Sequence, residues 1–135
     1  MAYLEWEERL NTGISVVDGQ HKRIVAYINQ LYKATHTENK DEVMIKNTMI
    51  ELIDYTISHF AFEESLLEDV GYEDLIEHKR SHDKFCDEIF NFRDRLVDGE
   101  DIAEHLLKVL RGWLFGHILH DDKQYVDIVK KHFMN

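Results

Sequence analysis

Apolar residues recur along most of this chain at alternating steps of three and four, the spacing of one face of an α-helix. The pattern is cleanest from Leu75 to Leu96, where it reads Leu75, His78, His82, Phe85, Ile89, Phe92, Leu96. An earlier stretch reads Val17, His21, Ile24, Ile28, Leu31, and a second Ile45, Met49, Leu52, Thr56, His59, Glu63, Leu66. The last reads Ala103, Leu106, Leu110, Trp113, His117. Together they predict helices over about 17–35, 40–69, 73–97 and 101–120, with Ser15 or Asp18, Asn39 and Asp101 as expected N-caps. The breaks are THTEN, Gly71 and the turn DGED.

Residues 1–16 show no period, and Trp6, Leu10 and Ile14 are expected to anchor an N-terminal arm along the helices. The tail from Asp121 onward is mixed polar and apolar, expected as a short segment tucked under the rest. The predicted architecture is all-α: an up-down-up-down antiparallel four-helix bundle, forming one domain over residues 1–135.

Composition agrees with that picture. The 135 residues contain no proline and six glycines, which suits long uninterrupted helices. A net charge of −11 argues against nucleic acid as a partner, since phosphate contacts need clustered Lys and Arg. No apolar run reaches the length of a membrane span, and the first ten residues carry charges where a signal peptide has an apolar core. The expected compartment is therefore the cytoplasm, with a monomer as the expected state. Cys86 is the single cysteine, so no internal disulfide forms, and it reads as a space-filling neighbour of Phe85.

The seams carry an anomaly. Histidine occupies positions where leucine belongs, and a buried imidazole without partners costs about 1–3 kcal/mol. Each residue of helix adds about 1.5 Å, so heights can be counted from the turns near residues 38 and 99. His21 and His82 lie 17 residues from their turns, His117 lies 18, and His59 and His78 lie 21. The spread is about 6 Å along the bundle axis. Five imidazoles and Glu63, from four helices, are thus expected at one level. One such histidine is ordinarily a satisfied core residue; five with a carboxylate would need a network saturating every ring nitrogen. Bound metal is the simpler account. Imidazole and carboxylate without thiolate suit iron, zinc, copper, nickel or manganese, and five histidines overfill one tetrahedral zinc. They fit two six-coordinate ions sharing carboxylates. On the last helix Asp121 stands at i+4 from His117, the position ideal geometry prefers, whereas Asp122 lies about 140° round. His36, His105 and His132 fall off the seams and read as surface residues.

These motifs resemble a known family. D-x-x-H at Asp18 and His21, HFxxE from His59 to Glu63, HxxxH at His78 and His82, and WLxxHIxxxD from Trp113 to Asp122 are similar to the hemerythrins, specifically the single-domain bacterial ones. The main departure is Gly19, where glutamate is common. The resemblance implies a non-haem di-iron centre, with His78, His82 and His117 on one iron and His21 and His59 on the other. Glu63 and Asp122 would bridge, with an oxo or hydroxo group as third bridge. Choosing Asp122 over Asp121 requires an unwound or π-type turn after His117. The resemblance also implies an apolar oxygen pocket of Phe60, Trp113, Leu114 and Ile118 beside the five-coordinate iron. Its implied function is reversible dioxygen binding as a hydroperoxide, for carriage, storage or sensing, and not catalysis. Rival readings are a di-iron peroxidase or nitric-oxide-handling enzyme on the same scaffold, and a metal-free interaction bundle.

Overall fold

The computed structural model describes residues 3–99 and 101–133. After a 3₁₀ turn at Glu8–Leu10, α1 runs Ser15–Thr35, α2 Glu42–Asp69, α3 Leu75–Val97 and α4 Ala103–Gly116. A π-helical segment, His117–Asp122, then leads without interruption into α5, Lys123–Phe133. Among the described residues there is no strand. The four long elements form an antiparallel four-helix bundle, α1 packing on α2 and α4, and α2 on α3.

The bundle closes because the predicted seams meet. Val17, Ile24, Ile28 and Leu31 of α1, Met49 and Leu52 of α2, Phe85, Ile89 and Phe92 of α3, and Leu106 and Leu110 of α4 are all buried. Burying each such side chain stabilises the fold by about 1.5–3 kcal/mol. At the helix ends, Gly71 and Gly99 hold φ of +67° and +86°, the left-handed conformation that glycine adopts without a Cβ clash. Tyr72 N–H donates back to Leu67 O at 3.0 Å, closing α2 in a Schellman arrangement.

Several capping expectations are corrected. Asp41, not Asn39, caps α2, accepting from Met44 N–H at 3.1 Å. Ile14 and Ile102 precede α1 and α4 without side-chain caps, so Ser15, Asp18 and Asp101 do not serve. Asp18 instead turns back to the arm, accepting from Thr12 N–H and Oγ1–H at 2.8 Å each and from Gly13 N–H at 3.0 Å. The arm is fixed again where Leu4 exchanges two hydrogen bonds with the Asn29 side chain, at 2.8 and 2.9 Å. Its 3₁₀ turn lies against the π segment.

The fourth helix also does not end near 120. Nothing between Gly116 and Phe133 interrupts a helix, so the chain stays helical and absorbs an extra residue as the π turn. α5 then buries Tyr125 and Val129 against Leu67 of α2.

Candidate metal centre

Three of the long helices, and the π segment that continues α4, deliver the parts of one buried cluster. His21 comes from α1, His59 and Glu63 from α2, His78 and His82 from α3, and His117 and Asp122 from the π segment. All seven are at most 5% exposed. They form two overlapping sets: Glu63 with His78, His82 and His117, and His21 and His59 with Glu63 and Asp122. Within each set the donor atoms lie within 4.8 Å of one another.

The carboxylates stand between the sets. Glu63 Oε1 contacts the Nε2 atoms of His78, of His82 at 3.0 Å and of His117 at 3.4 Å, while Oε2 lies 3.5 Å from His59 Nε2. Asp122 Oδ2 lies 2.9 Å from His21 Nε2, and Oδ1 lies 3.0 Å from His117 Nε2 and 3.5 Å from His78 Nε2.

The π turn is what brings Asp122 there. In an unbroken α-helix the residue five after His117 points away from it, and Asp121 would enter instead. With the turn widened, Asp122 is fully buried and Asp121 stays at the edge. Asp121 accepts from His117 Nδ1–H and from Ser81 Oγ–H, both at 3.1 Å.

That bond is one of three holding the imidazoles from behind. His59 Nδ1–H donates to Gln20 Oε1 at 2.5 Å, and His82 Nδ1–H to Glu64 Oε2 at 2.9 Å. An acceptor on Nδ1 fixes the tautomer whose Nε2 lone pair faces inward, the arrangement metal-ligating histidines use. Tyr125 Oη–H donates to Glu63 Oε2 at 2.9 Å.

Ionisation follows from these contacts. Burial pushes His59 down to about 4, so its ring is neutral with its lone pair available. Burial works against the Glu63 anion too, but the close His117, His78 and His82 rings hold it well below its ordinary value. Burial would lower His117, yet Asp122, Asp121 and Glu63 around it hold it well above the usual imidazole value. The carboxylates thus favour positive charge at His117 Nε2, which a proton on that ring or a cation displacing it would supply. Burial, with Asp122 and Glu63 nearby, pushes the Tyr125 phenol far up, so its proton stays on oxygen.

Does this donor set fit a metal? His21 Nε2, His59 Nε2 and both oxygens of Asp122 are buried without a hydrogen-bond partner, although Asp122 stands 2.9–3.0 Å from His21 and His117. The atoms approach one another off the line a hydrogen bond requires. Unsatisfied groups of this kind cost about 1–3 kcal/mol each, and a cation lying among them would serve all four. The residues fit.

The expected pocket residues lie close by. Phe60, Leu114 and Ile118 are buried, and Phe60 stacks on His82 with ring centroids 3.9 Å apart and lies 6.0 Å from His59. Trp113 stacks on His117 at 4.9 Å and on Phe85 at 4.1 Å. On the other side a polar cleft of about 240 Å³, lined by Tyr72, Asp74, Glu77, Ser81 and Asp121, reaches His78 from solvent. His36 lies far from the cluster, stacked on Tyr32 and 2.8 Å from Glu104. His105 packs edge-on against Phe92, and His120 is exposed. Gly19 is exposed with open space where a Cβ would stand, so the departure there touches nothing in the centre.

Residues 12–129 match the family model for the hemerythrin HHE cation-binding domain. The chain belongs to the hemerythrin family. It is 48% identical over 130 residues to a bacteriohemerythrin of Pseudomonas aeruginosa, covering 96% of this chain and 84% of that protein. A bacteriohemerythrin of Stenotrophomonas maltophilia is 43% identical, with coverage of 98% and 85%. Among solved structures, wild-type hemerythrin superposes with a TM-score of 0.88 at 29% identity, covering 95% of this chain and 98% of that one. Within this hemerythrin the residues sequence reasoning missed are the supports: Gln20, Glu64, Ser81 and Tyr125. Gln20 and Glu64 are chain neighbours of cluster residues and sit off the apolar seam, so periodicity passes over them. Tyr125 carried a usable signal, standing one turn beyond Asp122.

Proposed function

We propose that this hemerythrin binds dioxygen reversibly at a pair of iron ions. The observation that carries the reading is the doubled donor set: two groups of buried imidazoles sharing Glu63, with unpartnered donor atoms facing one space. His78, His82 and His117 would hold one ion, His21 and His59 the other, with Glu63 and Asp122 common to both. A ferrous pair held there would supply the two electrons that dioxygen takes on when bound and returns when released.

The chain's own residues prepare the site for that chemistry. Gln20, Glu64 and Asp121 keep three imidazoles in one tautomer, so their lone pairs need no rearrangement. One donor set has three imidazoles and the other two, which leaves the His21 and His59 side one ligand short. Phe60, Leu114 and Ile118 add apolar surface, which admits a small apolar gas and carries no acid that could protonate it. Phe60, Leu114, Ile118 and Trp113 include no titratable acid, although the Trp113 indole N–H is buried and unpartnered there. The lack of an acid favours return of dioxygen intact over reductive turnover, and so a binding protein over an enzyme.

The test is iron quantitation with optical spectra of the reduced protein before air, after air and after oxygen is withdrawn. The expected result is about two irons per chain and a charge-transfer band that appears and disappears reversibly. Protein without iron would overturn the reading. So would steady consumption of added reductant in place of reversal, which would establish an enzyme on the same scaffold.

A further inference from the structure

Asp122 and Tyr125 are three residues apart, so where the π turn carries Asp122 inward it carries Tyr125 to the same face one turn on. Tyr125 is fully buried, held edge-on by Tyr72 at 6.2 Å and His78 at 5.6 Å and packed with Leu67 and Val129. Its hydroxyl donates to Glu63 Oε2 at 2.9 Å. Oε1 of the same carboxylate faces His78, His82 and His117, whereas Oε2 is the oxygen nearest His59. The phenol therefore acts on one oxygen of the shared carboxylate and not on the other. Phenylalanine would fill the same volume without a buried hydroxyl that must find a partner, so what the hydroxyl adds is this bond.

We propose that Tyr125 is a positioning residue of the centre: its O–H, fixed on Glu63 Oε2, makes the two oxygens of the shared carboxylate unequal and draws charge from the His21 and His59 side. The inference rests on the metal-pair reading. A donor on an anionic ligand oxygen weakens that oxygen's support of a more positive ion, so it favours the ferrous state. Removing the donor shifts the balance toward the oxidised pair, in which dioxygen cannot bind.

The experiment compares wild type, Tyr125→Phe and Tyr72→Phe by iron content, helical circular dichroism and anaerobic redox titration of the iron pair. Tyr72→Phe is the control, because it keeps the ring that packs on Tyr125 and on His78 and removes a hydroxyl that makes no hydrogen bond to Glu63 among those the structure shows. Tyr125→Phe is expected to keep both irons and its helicity while the reduced-to-oxidised ratio at a fixed potential falls on the order of tenfold, about 59 mV for a one-electron couple. Tyr72→Phe is expected to leave the ratio unchanged. An unshifted potential in fully loaded Tyr125→Phe, or an equal shift in Tyr72→Phe, overturns the proposal while the metal pair stands. Wild type without iron overturns the metal-pair reading, and the proposal with it. If Tyr125→Phe does not fold, 3-fluorotyrosine placed at 125 decides instead. This stronger donor of nearly the same shape is expected to move the potential the opposite way, and no movement overturns the proposal.

Discussion

Glu63 belongs to both donor sets, and this makes its loss different in kind from the loss of any histidine. On the proposed metal-pair reading, Glu63→Ala removes a ligand from each of two positions, whereas His21→Ala removes one from a single position. Losing a group that merely orients a ligand costs about 10–100-fold in affinity, so losing the ligand itself costs at least that at each position. For loading of the pair the two factors multiply, to about 10²–10⁴ or more if they are independent. The assay is anaerobic titration with ferrous iron, followed by desalting and iron analysis, with circular dichroism to verify the fold. Glu63→Ala strands the Tyr125 hydroxyl and three imidazole contacts, so Glu63→Gln, which keeps shape and one acceptor oxygen, is measured beside it. The expected result is well below one iron per chain for Glu63→Ala, about one for His21→Ala and an intermediate value for Glu63→Gln. Two irons retained by Glu63→Ala would refute the shared-ligand argument. Loss of both by His21→Ala would show that the two positions are not separable as the geometry divides them.

Gln20→Ala deprives the His59 ring of its acceptor and is expected to weaken metal binding on the His21 side by about 10–100-fold, leaving the three-histidine side unchanged; metal titration checks this, and equal losses on both sides would count against it. Asp18→Ala removes three bonds that tie the arm to α1, each to a charged acceptor, and is expected to destabilise the protein by about 2–4 kcal/mol. Urea unfolding measures it, and a change below about 0.5 kcal/mol would mean the arm is held by other contacts. Burial, with Asp83, Glu64 and Asp87 nearby, pushes the Cys86 thiol up to about 11. Its alkylation at pH 8 should run roughly a hundredfold slower than that of a free thiol, and a rate near that of free cysteine would contradict the burial.

What the chain alone determined was whatever depends on local periodicity. Steps of three and four mark the inward face of each helix, and a constant rise per residue turns distance from a turn into height. Both are properties of the helix itself, so four helices and a common level for His21, His59, His78, His82 and His117 were legible without coordinates. The same regularity misleads where the helix is irregular. Counting at α-helical pitch selects Asp121, and only the π turn after His117, packed against the arm, puts Asp122 inside and Asp121 behind the His117 ring. Resemblance pointed to Asp122, but no local spacing could. The supports behind the clustered imidazoles and Glu63 were equally out of reach. Gln20 and His59 are 39 residues apart, and Tyr125 and Glu63 are 62 apart, so which side chain closes each hydrogen bond depends on how whole helices rotate and slide against one another. The helix caps followed the same logic, since Asp18 left the role of cap once the arm folded back to offer it three donors. Periodicity is written in the covalent chain; a hydrogen bond between distant residues exists only after packing has placed both ends.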